Sequence, residues 1–262
     1  MKEHLLIEKV GTSSLVDDSG RAVQAVFDGI ADQNVALSTD FNFAEVSSGA
    51  VSTGAGKLGL DRADFAKDKT TLRVMASVGQ APLSLNWDAA YARHGFVTGQ
   101  CLVTPLELRS QEEGWRYLAT LGRMFELGVV PIINENDAIA DEEITFGDND
   151  FLAADLALRL GKKGIWESTK LILLSDVGAL YDDFGGPNEE RIPVVTDIRA
   201  VRHLGKGSST KKGTGGMASK VLAAEKVLPF GIDVYVADAS VEDAIPKVMD
   251  GEIGTHFVAN AA

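Results

Sequence analysis

Short apolar runs alternate with helix-like stretches along this chain, and that alternation confines it to very few architectures. HLLIEKV (residues 4–10), GFVTGQCLV (95–103), LGVVPIIN (127–134), KLILLS (170–175) and IDVYVA (232–237) have the length and β-branched enrichment of strands entering a buried sheet. Between them, residues 112–127, 151–160 and 217–228 repeat apolar positions every three or four residues, as amphipathic helices do. Strand–helix–strand order predicts an α/β fold with a mostly parallel central sheet covered on both faces. Residues 35–46, VALSTDFNFAEV, occupy a place where a buried strand is due, but Asp40, Asn42 and Glu45 interrupt the pattern.

The 262 residues, 45% of them hydrophobic, suit one large domain or two lobes sharing a sheet. No internal repeat or linker divides them; residues 162–170 are a plausible seam, and GGPNEE (185–190) reads as a solvated turn. A formal charge of -13 opposes general affinity for nucleic acid or anionic membranes. Cys101 is alone and sits in an apolar run, so it offers neither a disulfide nor a zinc site. Lys2, Glu3, Glu8 and Lys9 break up any signal-like apolar core, and a cytoplasmic setting is expected.

In parallel sheets, ligands gather where loops leave the carboxyl ends of strands. Three such loops carry informative residues: Gly11 and the Thr12, Ser13, Ser14 that follow it, Asn134 to Asp137 after VVPII, and Ser175 with Asp176 after LILL. Residues 134–150, NENDAIADEEITFGDND, are dense in acids and Asn and hold no Lys, Arg or His. Such a segment suits a small polar ligand and a metal. One of Asp148, Asn149 and Asp150 is expected to cap the helix that follows, while the three together exceed capping needs. Glu142 and Glu143 read as hairpin surface.

Residues 198–224 reverse the charge, with Arg199, Arg202, Lys206, Lys211, Lys212 and Lys220 and no acid. GKGSSTKKGTGGMASK (205–220) is a phosphate-binding composition leading into a helix, although a solvated basic loop would have the same make-up. GAGKLG (54–59) matches GxGxxG without a clear strand before it, and Leu58 follows Lys57 where a Walker motif needs Ser or Thr. Lys9, at the end of the first strand, would be partly buried and would need an anion. His4, His94, His203 and His256 are scattered and form no Ser/His/Asp or HExxH arrangement. Phosphoryl transfer to a carboxylate needs no histidine base, because the acceptor is already ionised; lysines, backbone N–H groups and a magnesium ion must instead offset the repulsion of two anions.

KVGTSSL (9–15), SSGAVSTG (47–54), ASVGQ (76–80), VVPIINENDAI (129–139), FGDND (146–150), LLSDVGALY (173–181) and GTGGMASK (213–220) together resemble the amino-acid kinase family and, within it, the glutamate 5-kinases. The INENDAI and FGDND pair is the part that related kinases of other acids do not share. The resemblance implies a three-layer αβα sandwich formed by a single domain, residues 1–262. In it, residues 1–165 would hold the amino acid and residues 166–262 the nucleotide. It implies ATP and Mg2+ as cofactors, L-glutamate as acceptor, proline as feedback inhibitor and a homo-oligomer. It further implies that Lys9 and Lys220 stabilise the transferring group with Asp150 organising them, and that Ser48, Gly49, Asp137 and Asn149 bind the amino acid. Gly11, Ser175, Asp176, Thr214, Gly215, Gly216, Met217, Ala218 and Ser219 would line the nucleotide. Many family members continue into a small RNA-binding-like domain beyond the region corresponding to Ala262. Glu8, residues 35–46 and the Gly178–Ala179 turn depart from the family pattern. A kinase of another small acid, or a non-catalytic relative that binds glutamate or proline, are the alternatives.

Overall fold

The computed structural model describes residues 2–140, 148–204 and 216–259. Ten strands are present among them: β1 His4–Val10, β2 Phe41–Ser47, β3 Val97–Val103, β4 Val129–Glu135, β5 Ser168–Ser175, β6 Tyr181–Asp182, β7 Glu190–Arg191, β8 Val194–Val195, β9 Asp233–Asp238 and β10 Thr255–Phe257. Eight of these form one sheet in the order β3-β4-β2-β1-β5-β9-β10-β8. All its pairings are parallel except β9 with β10.

Alternation along β1 explains the layering. Leu5 and Ile7 join one apolar cluster, and Leu6 and Val10 the other. The first cluster is closed by the helices Gln111–Glu126, Asp148–Gly161 and Met217–Val227, through residues such as Leu118, Leu156 and Val221. Gln24–Leu37 and Lys69–Ala92 cover the opposite face with Phe27, Ile30, Leu83 and Trp87. Helix, sheet and helix layers therefore stack as expected, and after the turn at 162–167 the chain re-enters the same sheet, β5 pairing with β1 from Ser168 to Leu174.

The interrupted segment 35–46 divides between two elements. Its start completes the helix Gln24–Leu37, Asp40 lies in the turn, and β2 begins at Phe41. Its polar residues are provided for locally: Asn42 Oδ1 accepts from Lys2 N and Trp166 Nε1, while buried Glu45 meets Asn34 and Tyr91. Pattern alone misses such a strand because specific partners, not apolar contacts, accommodate its polar side chains. Residues 185–189 lie in the connection of the short β6–β7 hairpin, in agreement with an exposed turn, and Glu190 opens β7.

GAGKLG belongs to helix packing, with no nucleotide turn formed. Gly54 lies inside the helix Ala50–Leu58, and a Cβ there would stand 1.7 Å from Met75 O; one on Gly79 would stand 1.9 Å from Ala50 O. Side-chain-free contacts let this helix and Lys69–Ala92 touch backbone to backbone. That seats the loop after β2, which carries Ser48 and Gly49. Gly49 itself has φ +109°, a conformation that L side chains rarely adopt.

Candidate active site

The sheet order reverses direction at β1: the chain builds outward through β2 on one side and resumes with β5 on the other. Loops leaving the two strands diverge there and open a crevice, the position at which open α/β sheets bind ligands. Lys9 and Ser175 stand at its two walls. A Cβ on Gly11 would lie 3.6 Å from Leu174 O and 3.9 Å from both Lys9 Nζ and Ser175 Cα. A side chain there would make only ordinary contacts, and the Gly11 N–H is already donated to Leu174 O at 3.1 Å.

Across the crevice, the helix Asp148–Gly161 points its first turn at the sheet. Asp150 is fully buried; its Oδ1 stands 2.7 Å from Lys9 Nζ, and its Oδ2 accepts from Ser219 Oγ at 2.6 Å and lies 3.4 Å from Lys220 Nζ. Burial would raise this carboxyl, but the Lys9 and Lys220 ammoniums outweigh it and hold the group down to about 2. Lys220, itself buried, is lowered from the ordinary lysine range, first by burial, with Asp150 acting in the opposite sense. One carboxylate thus holds two ammoniums from distant parts of the chain side by side at a single crevice. The arrangement carries a net positive charge suited to an anionic group.

A second cluster adjoins it. Asn149 Nδ2 donates to Ser48 Oγ at 2.8 Å, Asn134 Oδ1 at 3.1 Å and Ser47 O at 3.3 Å. Asn134 Nδ2 in turn donates to Gln80 Oε1 at 2.9 Å. Among the described residues, Asn149 Oδ1 is buried without a partner, leaving an acceptor for a ligand N–H. The helix starts at Asp148, so Asn149 and Asp150 lie within its first turn. Their side chains go to Ser48, Asn134, Ser219 and the two lysines; of the three candidates for a cap, Asp148 has its side chain outside the described residues.

Asp137 follows β4 in the turn tied down by Arg73 Nη2 on Ala140 O. Burial raises its carboxyl to about 6, against the partial opposition of Arg62. Such a group gains most from a cationic ligand, which would restore its charged form.

On the β5 side, Ser175 is buried and donates from Oγ to Val177 O at 2.9 Å, while Asp176 is exposed. Asp176, Val177, Gly178, Ala179, Tyr181 and Asp238 are among the residues lining a cleft of about 550 Å³. Gly216 caps the helix Met217–Val227 in an extended conformation, and its carbonyl accepts from Ser219 Oγ at 2.8 Å. Met217 is buried and Ala218 partly so. Thr214 and Gly215, together with Glu142, Glu143 and most of the basic segment 205–220, lie outside the described residues.

The structure thus joins Lys9, Asp150, Ser219 and Lys220 in one contact network, and Ser48 with Asn149 in another. Asn134 and Gln80 are added to the second. Both stand in motifs that the sequence singles out, but an amide carries no charge pattern to mark it as part of a relay. Helices of the described residues include none long and apolar enough to cross a membrane.

Comparison with known proteins bears on the same residues. The sequence model of the amino acid kinase family matches residues 4–238. The chain is 35% identical over 261 residues to the glutamate 5-kinase of Geobacillus kaustophilus, with 96% of this chain and 66% of the relative covered. Against the glutamate 5-kinase of Nocardia farcinica it is 37% identical over 258 residues, covering 97% and 67%. The chain therefore spans about two thirds of the length of these relatives. By shape it is similar to carbamate kinase from Giardia lamblia bound to AMP-PNP, at a TM-score of 0.67 and 14% identity over 99% of both chains. The isopentenyl phosphate kinase of T. acidophilum gives 0.61 at 18% identity over 97% of this chain and 99% of that one. Likeness at such identities establishes the fold alone. The family match, by contrast, begins at the first residue of β1 and ends at the last of β9, enclosing both side-chain clusters, and this chain belongs to the amino acid kinase family.

Proposed function

We propose that this chain transfers the terminal phosphoryl group of ATP to the side-chain carboxylate of L-glutamate, giving L-glutamate 5-phosphate, the first step of proline biosynthesis. The observation that carries the proposal is the pairing of Lys9 and Lys220 on buried Asp150, beside the Ser48–Asn149–Asn134 amide cluster. The relatives named glutamate 5-kinase support the choice of acceptor.

In this reading, residues 1–165 hold the amino acid. Asp137 pairs with its ammonium, and Asn149 Oδ1 and the Ser48 hydroxyl orient it. The acceptor arrives already ionised, so the chain supplies no base. Residues 166–262 hold the nucleotide, whose base and sugar would enter the cleft beside Asp176 and Tyr181 while its phosphates meet Lys220 and the amino end of Met217–Val227. Lys9 and Lys220 face the charge that builds on the transferring group, and Asp150 keeps both in place so that little reorganisation is needed.

Mg2+, when bound to the nucleotide, offsets phosphate charge. Asp150 is committed to two lysines, and the one candidate group of His, Asp and Glu ligands among the described residues, Glu3, His4 and Glu167, lies at the opposite end of β1 and β5. The ion would be held by the phosphates of the nucleotide. The proposal extends to proline, which shares the α-carboxylate and a cationic nitrogen with glutamate, as inhibitor, and to a homo-oligomeric assembly.

The test is ADP release by pure, folded protein with MgATP and a panel of acids. Glutamate-dependent release is expected. Release with aspartate or a phosphate monoester but not glutamate would overturn the choice of acceptor.

A further inference from the structure

On the face of β1 and β2 turned away from Lys9 there is a buried acid pair that phosphoryl transfer does not use. Glu8 and Glu45 stand opposite each other in the parallel register of the two strands, and both are fully buried. Four elements enclose them. Helix Gln24–Leu37 contributes Asn34, whose Nδ2 donates to Glu8 Oε2 at 2.5 Å and to Glu45 Oε1 at 2.7 Å. Helix Lys69–Ala92 contributes Tyr91, whose hydroxyl donates to Glu45 Oε1. The flanking strands present Ile172 of β5 beside Glu8 and Ile132 of β4 beside Glu45. Lys170, two residues before Ile172, directs its ammonium at Tyr235 Oη, 3.4 Å away. Among the described residues no ion pair reaches either carboxylate.

Glu8 Oε1 and Glu45 Oε2 are buried without a partner. Ionised carboxylates only accept hydrogen bonds, so two of them side by side in apolar surroundings leave both oxygens orphaned and repel each other. A shared proton removes both problems. Burial, then the charge of Glu45, pushes Glu8 well above the glutamate range, and burial pushes Glu45 up to about 7. Burial and the two carboxylates raise Tyr91 as well, which keeps its hydroxyl a donor.

The pair is close in structure to the site. Glu8 immediately precedes Lys9. Trp87 stacks on Tyr91 with ring centres 6.2 Å apart and donates from Nε1 to Ser47 Oγ at 2.8 Å. Asn149 Nδ2 then takes both Ser47 O and Ser48 Oγ as acceptors.

We propose that Glu8 and Glu45 share one proton and act as a positioning pair for the ends of β1 and β2, so that the grip of Ser48 and Asn149 on the acceptor depends on that proton. The site-dependent half of this inference rests on the function proposed above. The folded pair keeps a proton that the unfolded chain releases above the ordinary glutamate range. Stability is therefore fullest below that range and falls as pH rises through the raised range of the folded pair.

Glu8→Gln keeps the shape, adds an N–H donor towards Glu45 and removes one charge. The unfolding midpoint of the unaltered chain is expected to fall on the alkaline side, whereas the variant should flatten and exceed it by about 5 °C near pH 8. KM for glutamate should rise roughly three- to tenfold from about pH 6.5 to about pH 8.5 in the unaltered chain and stay level in the variant, with kcat following a common profile. Parallel unfolding profiles, or a variant less stable at every pH, would overturn the shared proton. Separated unfolding profiles with identical KM profiles would overturn the link to the site. Glu45→Gln provides the same comparison if Glu8→Gln does not fold, and failure of both to fold at any pH would also overturn the proposal. Loss of all glutamate-dependent turnover would count against the function instead, leaving the unfolding profiles to decide the acid pair.

Discussion

Asp150 and Glu45 are both fully buried carboxylates at the heart of one sheet, and the protein treats them in opposite ways. Two lysines hold Asp150 down to about 2, while Glu45, facing Glu8, Asn34 and Tyr91, is pushed up to about 7. Burial is equal, so it cannot account for the difference. The charges that neighbouring side chains present decide it: adjacent residues on β1, Lys9 and Glu8, project to opposite faces and give one face a cationic crevice and the other a protonated acid pair. Asp150 thus stays ionised, whereas the Glu8–Glu45 pair is one whose charge can change.

The largest test of this contrast is Asp150→Asn. Removing that charge leaves Lys9 and Lys220 buried against each other, and a loss of about 3–5 kcal/mol in denaturant-derived stability is expected, together with loss of turnover. Stability equal to that of the unaltered chain would mean that the lysines do not rely on Asp150. Next comes Lys220→Ala, for which kcat is expected to fall about 10²–10³-fold with acceptor binding retained, because the ammonium acts on charge that develops during transfer. An unchanged kcat would remove Lys220 from the chemistry.

Asp137→Asn should act on binding more than on rate. With Asp137 raised to about 6, KM for glutamate should climb in the unaltered chain as pH falls through that value and the carboxylate takes up a proton. The variant should start about tenfold higher at neutral pH and lose this acid limb. An acid limb that survives the substitution would assign it to another group. The smallest effect is expected on the exposed face of helix Gln111–Glu126, where Arg116 pairs with Glu112. Arg116→Ala should shift stability by no more than about 0.5 kcal/mol, as exposed pairs do, and a larger loss would show that location matters less than the contrast requires.

How much of this was legible in the sequence follows the same physics. The strand and helix pattern located β1, β4, β5 and β9 within a few residues, because strands buried on both faces must be nearly all apolar, and it located the edge strand β3 as well. Lys9, Asp150 and Lys220 were legible as charged residues at strand and helix ends with motifs around them, where burial demands a partner. The amide relay through Gln80 and Asn134 was half legible: the positions stood out, but only coordinates reveal which amide faces which. The Glu8–Glu45 pair was not legible as a pair. Each residue interrupted an apolar pattern by itself, and their meeting depends on the register of β1 and β2, which no local spacing encodes.

Trapping with hydroxylamine tests the central claim most directly, because an acyl phosphate converts to a stable hydroxamate whereas other phosphorylated products do not. Pure protein supplied with MgATP, glutamate and hydroxylamine should form glutamyl hydroxamate in step with ADP, and both should fall together, about 10²–10³-fold, in Lys220→Ala. Release of ADP without hydroxamate, or no response to glutamate from folded protein, would contradict phosphoryl transfer to the glutamate side chain.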